Sequence, residues 1–417
     1  MKTTTGPLSF GLALAILSAA SPALAVVCNV PSMAHPTIQS AANDMACTEI
    51  VIAAGVYVEQ VTVGRVGSIF VHGAGAGRTI IRSPPMRVPS TFPTPFHPNY
   101  TYIVQVPPGT AADFADLTID GTGNSYCGEP LFGIRFNNAN GSLDRVVVEN
   151  VRSPGADLGC QNTISVAITG DPGGGAVVSV LRSTVRNFQK VGVLVNGPTA
   201  AGGVFNTVIR GVGATPYTAQ NGIQFSRGAA GSAQDNIIVD VHYTGDTCLL
   251  GDTQVASGII TYQAGPVTLV GNYISGADRA ILLRENVGAQ VVTLNRLVNN
   301  FGGIFSQLNG MGLVRISDNR ITGTVRSNAG NVDMCFPDSG NALSVRQESG
   351  TALVLNHVAD SARNGIELFP GATSTEVQQN RVVRGTRADL EDRGMGSSVT
   401  QNTCRTSIPP GLCAFAP

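Results

Sequence analysis

The sequence predicts an all-β fold, a single parallel solenoid of about 11–12 coils with a short helix capping its N-terminal end. Three observations carry that prediction. Asparagine recurs at Asn206, Asn236, Asn272, Asn295, Asn319, Asn356, Asn380 and Asn402, at intervals of 30, 36, 23, 24, 37, 24 and 22 residues. A glycine- or alanine-led apolar strand recurs between these asparagines. The composition, with 50 Gly, 13% charged residues and no Trp, suits many tight turns between short strands.

Residues 1–25 read as an export signal. Lys2 precedes an apolar stretch from Leu8 to Ala20, and Ala23-Leu24-Ala25 offers a small-x-small cleavage site. Val27 before Cys28 argues against lipid anchoring. Residues 26–417 then form one domain without a second long apolar run, so membrane insertion is not expected. Pro36–Asn43 reads as the amphipathic cap helix, which protects the first coil against edge pairing.

Each ladder asparagine closes a run such as LVGNYI, VTLNRL, ISDNRI or VQQNRV. Asn tolerates the left-handed backbone of a sharp bend, and stacked amides can bond one another between coils. The glycine-led strand runs FGIRFN (132–137), VGVLVN (191–196), NGIQFS (221–226), SGIITY (257–262), RAILLR (279–284), GGIFSQ (302–307), NALSVR (341–346) and NGIELF (364–369). Each coil therefore holds a strand before the asparagine, a short strand after it, and the glycine-led strand.

Strand alternation splits the glycine-led strand into faces. With Ile134, Ile223, Ile259, Ile281, Ile304, Leu343 and Ile366 inward, one outward column is Arg135, Leu194, Gln224, Ile260, Leu282, Phe305, Ser344 and Glu367. The next is Asn137, Asn196, Ser226, Tyr262, Arg284, Gln307, Arg346 and Phe369. The two longest intervals between asparagines hold the insertions 243–254 and 324–339, each with one cysteine, and both enter just before a glycine-led strand. Insertions confined to one corner of a solenoid usually build its functional face. They are also placed to fold over the apolar patch Ile260, Leu282 and Phe305, the alternative being that this patch is a sugar-stacking shelf.

The arrangement resembles the right-handed parallel β-helix of the pectin lyase-like superfamily over about residues 36–405, whose asparagine ladders it shares. HPTIQSAAND, AAGVYVEQVTV and IFVHGAGAGRTII look like the opening coils of pectinesterase-like secreted proteins, and QNTCRTSIPPGLC looks like the ending of bacterial β-helix-repeat proteins. The resemblance implies a polysaccharide partner, held on the glycine-led strands beneath the insertions. Tyr262, Arg284, Gln307, Arg346 and Glu367 are the substrate-binding candidates.

The chemistry of that family is not legible here. A glycosidase needs two or three floor carboxylates, and no Asp-Asp pair or Gly-His-Gly stretch occurs. The epimerase-type Asp-Pro-His-Asp stretch is missing as well. A lyase needs a base and a cation to neutralise the uronate; Lys190 is the one lysine after the export signal. No catalytic residue is assigned. The expected activity is binding and lyase-like processing of polysaccharide, with a non-catalytic surface or envelope protein as the alternative.

Eight cysteines in an exported chain suggest disulfides, and chain order suggests Cys28–Cys47, Cys127–Cys160, Cys248–Cys335 and Cys404–Cys413. The five histidines are dispersed without metal spacing. No cofactor is expected; calcium on Asp246 with Asp252, or Asp333 with Asp338, competes with ordinary turn-capping by loop aspartates. A net charge of −1 gives no electrostatic case for nucleic acid. The protein is expected to be a monomer in the periplasm or outside the cell, and Arg outnumbering Lys 24 to 2 fits GC-rich bacterial coding.

Overall fold

The computed structural model describes residues 25–92, 100–123, 130–153, 163–248 and 254–414. The expected export signal lies outside them up to residue 24, as do Cys127, Cys160 and Asp252. Through the described residues the backbone winds as a parallel β-helix whose strands collect into three sheets of 14, 12 and 13 strands. Sheet 1 holds the strands before the asparagine turn, sheet 2 those after it, and sheet 3 the glycine-led strands.

Register follows the period-2 alternation. On sheet 3 one inward column runs Ile134, Val166, Val193, Ile223, Ile259, Ile281, Ile304, Leu343, Ile366 and Leu390, each paired with the next coil. All ten belong to one core running the length of the rod. Each buried aliphatic side chain contributes roughly 1.5–3 kcal/mol, so a slip by one residue, which would turn the column to solvent, is strongly disfavoured.

The asparagine ladder is present from Asn236 onward. Nδ2 of Asn236 donates to Oδ1 of Asn272 at 2.9 Å, Asn272 to Asn295 at 2.9 Å, and Asn295 to Asn319 at 2.9 Å. Asn319 donates to Asn356, Asn356 to Asn380, and Asn380 to Asn402, each at 3.0 Å. The backbone N–H groups follow the same path, as from Asn319 to Asn356 at 3.1 Å. These side chains are 0–1% exposed. They are not themselves the left-handed residues: the residue just before each is, as at Asp235, Leu294, Asp318, Leu355, Gln379 and Gln401, with φ between 50° and 60°.

Asn206 is the exception and does not belong to the ladder. It is exposed and is itself the left-handed residue, φ 50°. The ladder place in its coil is filled by Thr207, whose N–H donates to Asn236 Oδ1 at 3.0 Å across 29 residues. A second, shorter ladder lies at the turn after sheet 3. Asn286 donates to Asn309 at 2.8 Å, and Asn309 donates to the carboxylate of Glu348 at 2.7 Å.

The N-terminal end is capped by a helix. Helix α1 (Ile38–Asn43) carries a capping box in which Ser40 N donates to Thr37 Oγ1 at 3.0 Å and Thr37 N to Ser40 Oγ at 3.1 Å. Glu59 accepts from the N–H groups of Ile38 and Gln39, and Ile38 and Ala41 bury against the first coil. Disulfides join Cys28 to Cys47 near this cap and Cys404 to Cys413 at the other end. No helix among the described residues is long and apolar enough to cross a membrane.

Candidate functional site

The two insertions meet over sheet 3. Cys248 and Cys335 are disulfide-bonded, with Cα atoms 5.4 Å apart across 87 residues. Beside them Thr247 N donates to Gly330 O at 3.0 Å and Asn331 Nδ2 to Asp246 at 2.7 Å. A short helix α2 (Val332–Cys335) lies in the second insertion. Val332, Phe336, Ala329 and Val255 form a small core there, with Phe301 packed against it.

The necks of the insertions are clamped. Asp278, 1% exposed, accepts the N–H of Tyr243 at 3.2 Å and that of Ala256 at 2.9 Å, the two ends of the first insertion. Nδ1 of His242 lies 2.5 Å from Asp278, and the imidazole stacks on Phe301 with centroids 4.0 Å apart. Burial pushes the Asp278 carboxyl above the usual carboxylate range, against the pull of His242 and the two N–H donors. In the second insertion Thr324 Oγ1 donates to Gly340 O at 2.9 Å.

The loop aspartates are engaged by protein groups. Asp338 accepts a bidentate contact from Arg279, at 2.9 Å from Nε and 2.6 Å from Nη2, both side chains 3–4% exposed. Asp333 pairs with Arg326. The Asn331 amide and the Cys248 N–H hold Asp246 below the usual range, as turn-capping does. His35, Asp44, Cys28 and Cys47 also cluster at the N-terminal cap, but a disulfide holds both sulfurs and removes them as ligands.

Pairing shows the first outward column of sheet 3 as far as Glu367 and the second as far as Arg346, yet neither is open along its whole length. Arg135 is fully buried, with its guanidinium 4.1 Å over the Tyr100 ring and bonded to Thr169 at 2.9 Å. Burial lowers its pKa to about 9. At the far end Leu282, Phe305 and Phe369 form a buried cluster, and Arg279 lies 4.5 Å over the Phe305 ring. Phe369 and Arg279 thus cover Phe305, the second insertion, among the described residues, reaching it only through Phe336 and Asp338 on Arg279, and Ile260 is left half-buried at the margin of the patch.

Glu367 does not reach the floor, which corrects its assignment as a substrate-binding residue. It is fully buried, accepting from Asn341 at 2.6 Å and Asn364 at 2.7 Å and pairing with Arg393. Its neighbour one coil on, Glu391, is bound by Asn364 at 2.9 Å and Arg387 at 2.7 Å. This acidic pair is a ladder of structural bonds, closed by arginines from later in the chain.

What stays open is the stretch from Leu194 to Arg284. Two contiguous cavities lie there, of about 250 Å³ and 280 Å³, and Lys190 and Tyr262 line both. Asn196, Gln224 and Ser226 line the first, Arg279 and Arg284 the second. Lys190 Nζ donates to Ala219 O at 2.7 Å, which anchors it at the rim. Tyr262, Arg284, Gln307 and Arg346 do form one column, coil to coil. The guanidinium of Arg284 lies 5.7 Å from the Tyr262 ring and pairs with Glu285 at 2.9 Å. Gln307 and Arg346 lie beyond the cavities, half-buried.

Residues 166–333 match the right handed beta helix region family. No curated protein matches the sequence. Three solved structures share the architecture. A GH87 α-1,3-glucanase catalytic domain in complex with tetrasaccharides superposes with TM-score 0.57 at 12% identity, over 92% of this chain and 70% of its own. A double mutant of the periplasmic alginate epimerase AlgG gives 0.52 at 10% identity, over 86% and 77%. The family 28 exopolygalacturonase of Yersinia enterocolitica gives 0.50 at 10% identity, over 94% and 78%. The described residues form a right-handed parallel β-helix. At 10–12% identity the likeness is one of fold.

Proposed function

We propose that this is an exported β-helix protein that binds polysaccharide in the groove between Leu194 and Arg284. The observation that supports it is the pair of contiguous cavities sharing Tyr262 and Lys190 beneath the joined insertions. An aromatic face flanked by amides and cations suits sugar, which stacks its apolar face and hydrogen-bonds its rim. Saccharide-processing neighbours of the same fold support that ligand class. Three disulfides among the described residues favour an oxidising compartment, periplasmic or extracellular.

Two activities fit this groove. Lyase-type cleavage of an acidic glycan would use Lys190 at the rim as base and Arg284 against the uronate carboxylate. The non-catalytic reading is favoured by a specific observation: Glu367, Glu391 and Asp278 are buried in structural bonds, and Glu285 beside the groove is paired with Arg284. A polysaccharide panel scored both for binding and for new reducing or unsaturated ends separates them. Tyr262→Ala should weaken binding about tenfold or more without moving the melting temperature. Unaltered binding in that variant would remove the groove as the site. Unsaturated ends identify a lyase; binding without new ends identifies a binding module.

A further inference from the structure

A different sheet of the rod carries a second feature, independent of the groove. On the outer face of sheet 2, Tyr273, Arg296, Arg320, His357 and Arg381 stand in register on five successive coils. All but Tyr273 are exposed. The guanidinium of Arg296 lies 5.6 Å from the Tyr273 ring. Earlier on the same sheet, arginines are neutralised: Arg186 pairs with Glu149 and Arg210 with Asp240. Arg296, Arg320 and Arg381 have no acidic partner among the described residues.

Like charges directly opposite on neighbouring strands destabilise a sheet, and coils repeat at about 4.8 Å. Arg296 and Arg320 stand directly opposite without neutralisation and Arg381 follows two coils beyond Arg320, so an anion lying along the file would relieve their repulsion. Beside the file runs a strip of small side chains, Thr322, Ala359 and Val383, also in register. Arg320, His357 and Arg381 from the file and Thr322, Ala359 and Val383 from the strip wall a trough of about 360 Å³, with Arg384, paired with Asp360, at its margin and Arg296 one coil beyond it.

We propose that this trough is a binding track for a linear anionic polysaccharide lying along the rod axis. Its acidic groups would meet Arg296, Arg320, His357 and Arg381 in turn, and its ring faces would rest on the small side chains alongside. Guanidinium forks suit carboxylate and sulfate alike. A nucleic acid duplex fits less well: it carries one charge per about 1.7 Å of axis, far denser than the file. The single terminal tyrosine offers no series of stacking platforms for unpaired bases.

The test uses the full chain after export, with polygalacturonate, dextran sulfate, neutral dextran and a single-stranded oligodeoxynucleotide as probes. The wild type should bind at least one anionic glycan and not dextran. That binding should weaken sharply as ionic strength rises from about 0.01 M to 0.15 M, where the screening length falls from about 30 Å to 8 Å. Arg296→Gln, Arg320→Gln and Arg381→Gln together should weaken it about tenfold or more at low salt. The corresponding triple change to Lys should retain most of it, and the loss caused by the triple Gln change should be of the same size whether Tyr262 is kept or replaced by Ala. Whether carboxylate or sulfate binds more tightly identifies the natural acidic group. No binding to either anionic glycan, equal binding to the oligonucleotide, or an unchanged affinity in the Gln variant would each overturn the proposal. An unchanged Gln variant alongside a Tyr262→Ala loss would locate all glycan binding in the groove.

Discussion

Asn206 and Asn319 look alike in sequence and do opposite things in the structure, so one substitution can be read at both. Asn→Asp preserves size and the acceptor oxygen but removes the two amide hydrogens. At position 319 those hydrogens are shared among Val292 O at 2.9 Å, Ser317 O at 3.0 Å and Asn356 Oδ1 at 3.0 Å. Asn356 Oδ1 keeps the Asn319 N–H, so one or two buried acceptors are orphaned, at about 1–3 kcal/mol each. An ionised carboxylate there would face only oxygens on that side, so its pKa must rise, and each unit costs a further 1.4 kcal/mol or so at neutral pH. Asn319→Asp should therefore destabilise by about 4–6 kcal/mol at pH 7. The sign follows from linkage: a carboxyl with a raised folded pKa destabilises once the unfolded chain can ionise, so the loss should shrink to about 2–4 kcal/mol below pH ~4. Asn206→Asp, at an exposed left-handed position that Asp also tolerates, should change stability by no more than about 0.5 kcal/mol. Urea unfolding followed by circular dichroism at both pH values measures all four quantities. Comparable losses at the two positions, or a pH-independent loss at 319, would refute the ladder energetics.

Glu348 ends the second ladder and is pushed above its usual 4.5 by burial, against hydrogen bonds from Thr351 and Asn309. Its native form holds the proton longer than the unfolded chain does, so its contribution to stability declines as pH rises through that raised value. Glu348→Gln should flatten this part of the profile, and melting temperatures of variant and wild type should diverge on going from pH 4 to pH 8, in the variant's favour. Asp338→Asn leaves the buried Arg279 guanidinium uncompensated and should destabilise the insertion cover by about 3–5 kcal/mol. Exposure of Phe305 and Phe336 should raise binding of a hydrophobic dye before global unfolding; an unchanged dye signal would remove the lid role of this ion pair.

Much of the architecture could be read from the sequence because a solenoid repeats its local rules. Period-2 alternation placed Ile281 inward and Leu282 outward, and hydrogen bonding between coils left no second register. The ladder was legible from Asn236 onward and slipped by one residue at Asn206, since Asn is equally suited to the left-handed position and to the ladder beside it. The run Asn206-Thr207 carries no mark of which role each takes. Asn286 and Asn309 stand 23 residues apart, a signal that went unread because the next member is a carboxylate, Glu348. The burial of Glu367 was not legible either. Its cover comes from Arg393, a surface-type residue 26 positions later, and nothing local to NGIELF announces it. Lys190 entered the groove for the same reason: its place depends on the coils around it rather than on its own turn.

The clamped necks of the insertions bear on how such a protein can change. Asp278 holds the two ends of the first insertion, and the Thr324–Gly340 bond pins the base of the second. Each insertion is therefore held twice, at its neck and through its contents, where Asp338 pairs with Arg279 of sheet 3 and Cys335 with Cys248. A change of length between the clamps leaves the register of the coils to the inter-coil pairing, whereas a change at Asp338 or Cys335 reaches the rod or the other insertion directly.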